Sequence, residues 1–114
     1  MIVQDIVSAL SLQVVAGADH LSNQVSGGYA SDLLSCVMAG AKAGDIWITL
    51  QAHPNVVAIA DLLNLAAVVI TEGSQPNAET VARAEEKGIT VLSAQQNTFD
   101  TVGNLIALGV EKRQ

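Results

Sequence analysis

Three short apolar runs constrain this chain more than any other feature: Ile46-Trp47-Ile48-Thr49-Leu50, Ala66-Ala67-Val68-Val69-Ile70-Thr71 and Ile89-Thr90-Val91-Leu92-Ser93. Each has the length of a strand, is rich in β-branched residues and lacks strict apolar–polar alternation. A strand with one wet face alternates, whereas a strand covered on both faces does not. The runs therefore read as neighbours in a parallel sheet sandwiched between helices. With helical segments between them they recur about every 22 residues, the rhythm of βα units rather than of a solenoid.

Helix punctuation fills the gaps. Asn77 is placed to cap a helix running to Lys87, with Pro76 before it, Glu79 in the first turn and Gly88 as its stop. Asn97 or Thr98 opens a last helix ending at Gly109, in which Phe99, Val102 and Ile106 form one apolar stripe and Leu105 and Leu108 widen it. The segment Asn55 to Asn64 is apolar almost all round, with Asp61 nearly alone as a polar interior residue. Such a helix must be covered on more than one side, either by a second copy of the chain or by another helix of the same chain.

The first forty residues are less regular. Ile2, Ile6, Val7 and Leu10 fit a short amphipathic helix, Leu12 to Val15 a strand, and Gln24 to Tyr29 another. Ser31 or Ser35 can cap a helix carrying Leu34, Val37, Met38 and Ala41, with Gly44 as its stop. In total the reading is a single domain over residues 1–114. Its class is α/β, a three-layer domain whose mostly parallel sheet of about five strands is flanked by helices. The composition agrees, since half of the 114 residues are apolar yet only 3% are aromatic.

Charge and motif content narrow the function. Eleven acidic against five basic residues give a net charge of −6, which argues against nucleic acid and anionic membranes as partners. The longest apolar run, Leu65 to Ile70, is far short of the roughly 20 residues that span a bilayer. The start, Met1 to Asp5, has no basic n-region of a signal peptide, and one cysteine, Cys36, forms no internal disulfide. A cytoplasmic location is the expectation. With only His20 and His53 besides, no zinc-ligand spacing exists. The sequence contains no phosphate loop, no G-x-G-x-x-G, no G-x-S-x-G and no H-E-x-x-H. We thus expect no metal, no cofactor and no catalytic residues.

Two groups of residues remain as candidates. Thr49, His53 and Asn55 follow one strand-like run and Thr71, Glu72 and Gly73 follow the next. Ligands of parallel α/β sheets collect at the carboxyl ends of strands, so these six form the candidate ligand site. Their ordinary roles would be loops and caps. Gly27, Gly28, Tyr29 and Asp32 form the second group, either a backbone nest for a ligand or a place where backbones pack closely. Trp47 is expected in the core. An enzymatic alternative is a small hydrolase or transferase with His53 and Glu72 as acid and base, which requires both within reach of one substrate atom.

The order Val25-Ser26-Gly27-Gly28-Tyr29-Ala30-Ser31-Asp32-Leu33-Leu34-Ser35-Cys36-Val37-Met38, then Gly44-Asp45-Ile46-Trp47-Ile48-Thr49, resembles small stand-alone members of the DRTGG domain family. Thr71-Glu72-Gly73, Pro76, Glu79, Gly88-Ile89 and Thr98-Phe99-Asp100-Thr101 fit the later half of that family, so the resemblance runs from about Val3 to Gly109. It implies an α/β domain that pairs with a copy of itself and regulates or scaffolds rather than catalyses. Related domains precede the catalytic part of HPr serine kinase, join CBS domains in regulated pyrophosphatases and accompany phosphotransacetylases. Expected partners are a second copy, a small anionic ligand, or a sensor, anti-sigma-type or hydrogenase-type protein. The sequence departs from the family's name-giving residues. Gln51-Ala52-His53-Pro54 stand where an Asp-Arg pair would, Glu72 replaces the first glycine of Thr-Gly-Gly, and Cys36 stands where an acidic residue is expected.

Overall fold

The structure, a computed structural model, describes residues 1–111; the last three residues of the single domain read from the sequence lie outside it. Five strands and five helices follow one another as α1 (Val3–Leu10), β1 (Gln13–Ala16), β2 (Gly27–Ala30), α2 (Leu34–Gly40), β3 (Asp45–Thr49), α3 (Asn55–Leu62), β4 (Ala67–Ile70), α4 (Ala78–Lys87), β5 (Val91–Ser93) and α5 (Thr98–Leu108). A short 3₁₀ turn, Ala18–His20, lies between β1 and β2. The sheet order is β1-β5-β4-β3-β2. Strands β2 to β5 run parallel, and β1 is antiparallel to β5 with an irregular register between Val14 and Ala16.

The three apolar runs are β3, β4 and β5, and their lack of alternation has the expected cause. Trp47, Val68, Ile70 and Val91 point into a core shared with α2, α3 and α4. Ile46, Ile48, Ala67, Val69 and Leu92 point into a second core under α1 and α5. The result is three layers with the sheet in the middle, so both side-chain sets of each central strand are dry.

Local signals set the helix ends. Asn77 Oδ1 accepts from Thr80 N at 2.9 Å and Gly88 ends α4 at φ +69°; Asn97 Oδ1 accepts from Asp100 N at 2.7 Å and opens α5. Helix α2 has Leu33 rather than a serine at its N-cap; Ser31 Oγ instead accepts from Leu33 N at 3.2 Å. Asp5 Oδ2 takes the N–H of Ile2 at the start of α1.

Packing decides one open alternative and corrects one expectation. The apolar helix α3 finds its cover within the chain, because Val56, Val57, Ile59 and Ala60 are buried against α2, α4 and the sheet. Only Ala58 and Leu62 of its apolar residues face out. Helix α5 is rotated from the expected stripe. Thr101 and Leu105 are buried, whereas Phe99 is 86% and Ile106 49% exposed and Val102 sits at the margin. The apolar arc of α5 is wider than the sheet can cover, and the surplus lies on the β2 side.

Close approach explains two glycines. At Gly17, φ is +73° and a Cβ would stand 2.4 Å from the Ile89 carbonyl oxygen. At Gly40, a Cβ would meet the Tyr29 ring at 2.6–2.7 Å, so the glycine lets Tyr29 lie on α2 and donate its hydroxyl to the Cys36 carbonyl. Among the described residues every buried side-chain nitrogen and oxygen has a hydrogen-bond partner.

Candidate functional site

Because β2 to β5 are parallel, the loops that follow them all leave from one rim of the sheet. Thr49 and Thr71, both fully buried, end β3 and follow β4 on this rim. The Thr71 N–H donates to the Thr49 carbonyl at 2.9 Å, and the Thr71 hydroxyl reaches the same oxygen at 3.4 Å. The two loops singled out from the sequence are thereby adjacent.

Two carboxylates organise the rim. Asp32 Oδ1 accepts from the Thr49 hydroxyl at 2.9 Å and from the Leu50 N–H at 2.8 Å, while the Asp32 carbonyl takes the Gln51 side-chain amide at 3.3 Å. Asp32 thus pins the end of β2 to the end of β3. Glu72 Oε2 accepts from the Thr98 N–H at 2.7 Å, at the N-terminus of α5, and the Thr71 and Thr98 hydroxyls lie 2.7 Å apart. Glu72 itself has φ +64°, followed by Gly73 at +68°. Their N–H groups donate to the carbonyls of Gln96 and Ala94, so the loop after β4 is clamped to the loop after β5.

His53 and Asn55 serve α3. The His53 ring accepts at Nδ1 from the Asn55 N–H at 3.1 Å, which satisfies a free donor of the first turn as a cap does. Glu72 serves α5, on the other side of the sheet. The two side chains of the hydrolase alternative each hydrogen-bond the start of a different helix, His53 at α3 and Glu72 at α5.

In the second group, Gly27 is buried, and Gly28 is extended backbone on which Val110 packs, a Cβ there meeting Val110 Cγ1 at 3.4 Å. Tyr29 lies on the α2 side, and the fully buried Trp47 of the next strand donates Nε1–H to the Ser31 carbonyl at 2.9 Å. Gly27, Gly28 and Tyr29 belong to the last strand of the sheet, with Asp32 just beyond it. On the α5 side of that strand runs an apolar groove of about 110 Å³ between β2 and α5, lined by Tyr29, Ala30, Ile48, Val102, Ile106 and Val110.

Sequence reasoning missed a cleft of about 380 Å³ at the opposite rim, where Asn23, Asp61, Asn64 and Lys87 stand at loop and helix ends. These are single polar residues spread over the chain, so no spacing marks them. Among the described residues no three His, Cys, Asp or Glu are grouped to hold a metal ion, and no helix is long and apolar enough to cross a membrane.

Replacing Asp32 by alanine removes the acceptor from a buried threonine hydroxyl and from one backbone N–H. We expect a loss of about 1–3 kcal/mol, read from the urea midpoint, with Asp32→Asn recovering part of it. An unchanged midpoint in Asp32→Ala would show that water replaces the carboxylate without cost.

The fold and rim define a class: a small α/β domain with a doubly covered sheet whose strand-end loops are closed by their own polar side chains. Comparison with known proteins makes it particular. The DRTGG domain matches residues 5–108, and the chain belongs to that family. Among solved structures, it is similar to the CBS and DRTGG domains of the regulatory region of Clostridium perfringens pyrophosphatase, a structure complexed with the activator diadenosine tetraphosphate. The TM-score is 0.75 at 17% identity, over 92% of this chain and 46% of that one. The chain therefore spans less than half of the solved regulatory region. No match was found among curated proteins.

Proposed function

We propose that this chain is a non-catalytic regulatory or scaffolding domain that acts by pairing with a second copy of itself along β2. The carrying observation is where its apolar surface lies. Among the described residues seven large apolar side chains are exposed; Leu33, Met38, Leu50, Phe99 and Ile106 stand on or beside elements that flank the β2 end of the sheet, and Met1 and Leu62 are the other two. Strand β2 is itself an edge, and an edge strand offers backbone donors and acceptors to another chain unless something blunts it. No proline and no charged residue occurs in Gly27–Ala30. A two-fold axis beside β2 would join two such edges and bring the surplus apolar arc of α5 against its counterpart.

Similarity to a pyrophosphatase regulatory region supports the regulatory part of this reading, as does the commitment of the rim side chains to structural hydrogen bonds. A sensor-type or hydrogenase-type partner would dock on the same apolar fringe in competition with the second copy.

The expected result in sedimentation or light scattering at tens of micromolar is a mass near twice 11.8 kDa. Ile106→Asp places a charge in the groove beside β2 and should shift the protein to monomer, weakening association by at least about a hundredfold. A monomeric wild type, or a dimer that Ile106→Asp leaves intact, would refute pairing along β2.

A further inference from the structure

We propose that Glu72 is a specificity-determining residue of the strand-end rim: its carboxylate is the internal occupant of the α5 N-terminus and closes that rim to phosphate-bearing ligands. The proposal does not depend on the pairing described above.

The contact itself is the first argument. Helix N-termini attract anions because their first N–H groups are unpaired and the helix dipole is positive there. In this chain the Thr98 N–H is taken by Glu72 Oε2 at 2.7 Å and the Asp100 N–H by Asn97 Oδ1 at 2.7 Å. An incoming phosphate would have to displace a tethered carboxylate already in place.

Backbone conformation is the second. A φ of +64° is unfavourable for a residue with a Cβ, by about 1 kcal/mol, and glycine is its usual occupant. Glutamate holds the position because its side chain is hydrogen-bonded across to α5, while the next residue, Gly73, supplies the second left-handed turn of the loop.

Charge is the third. Asp32, Glu72 and Asp100 put three carboxylates on or beside the rim. Of the basic residues described, Lys42 and Lys87 lie at the other end of the strands, and Arg83 is 3.6 Å from Glu79 on the outer surface of α4. A phosphate group carries nearly two negative charges, so it would meet repulsion there, and among the described residues no Lys or Arg stands on the rim to offset it.

Titration with inorganic phosphate at constant ionic strength, followed by amide NMR, tests this. In the wild type the Thr98, Phe99 and Asp100 resonances should show no saturable shift up to about 10 mM phosphate. In Glu72→Gly they should saturate with a dissociation constant of millimolar order. Glu72→Gln retains an oxygen for Thr98 while removing the charge, and should fall between the two; it decides the matter should the glycine variant not fold. Saturable binding at these amides in the wild type overturns the proposal. So does the absence of binding in a folded Glu72→Gly, or, where only Glu72→Gln folds, in that variant.

Discussion

Replacing Gly17 by alanine is expected to cost about 3–5 kcal/mol, a large share of the roughly 5–15 kcal/mol that holds a domain of this size together. Two effects add. The φ of +73° is strained for any L side chain, and the new methyl would lie 2.4 Å from the Ile89 oxygen and 2.6 Å from Thr90 Cα. Those atoms are backbone at the start of β5, so relief means moving a strand rather than turning a side chain. The segment is also tied from both sides: the Gly17 N–H donates to Glu85 Oε1 at 2.8 Å, and its carbonyl accepts from the buried Thr90 hydroxyl at 2.9 Å. Urea unfolding measures the loss. Gly103→Ala is the control, because a Cβ there meets nothing within 4 Å in the middle of α5, and it should raise stability by about 0.5–1 kcal/mol. Equal midpoints for the two variants would contradict the packing described around Gly17.

Trp47→Ala should be comparably damaging, at about 3–5 kcal/mol. The indole is fully buried in the middle of β3, between α2 and α3. Truncation opens a cavity in the larger core and deprives the Ser31 carbonyl of its 2.9 Å donor, which frees the end of β2. Trp47→Phe separates the terms: it fills most of the volume but donates nothing, and about 1–2 kcal/mol is expected. As the chain has one tryptophan, unfolding of both variants is followed by circular dichroism. A Trp47→Ala variant within about 1 kcal/mol of wild type would mean that the site collapses around the smaller residue.

The central sheet was legible because its strands are buried on both faces, a property that each run carries within itself. Helix ends were legible for the same reason: Asn77, Gly88 and Asn97 act within one turn of where they stand. Rotation of α5 was not legible, since positions 99, 102, 105, 106 and 108 span more arc than one neighbour covers, and only the packed sheet decides which part stays wet. The cover of α3 was undecided for a related reason: an apolar surface does not say which chain buries it. At the rim, sequence order predicted that the loops after β3 and β4 meet, and Thr71 on the Thr49 carbonyl joins them. It did not reveal what the carboxylates bind. Asp32 reaches a hydroxyl 17 residues away and Glu72 an N–H 26 residues away, separations with no local pattern.

The two ends of the sheet differ in a way that limits assembly. A sheet open at both edges can recruit a copy on either side and grow without end. Here the far edge is β1, antiparallel and irregular between Val14 and Ala16, and such a kink turns an edge away from flat pairing. Under the pairing proposed above, recruitment would be confined to the β2 side, where a like edge meets a like edge and leaves nothing free to add a third.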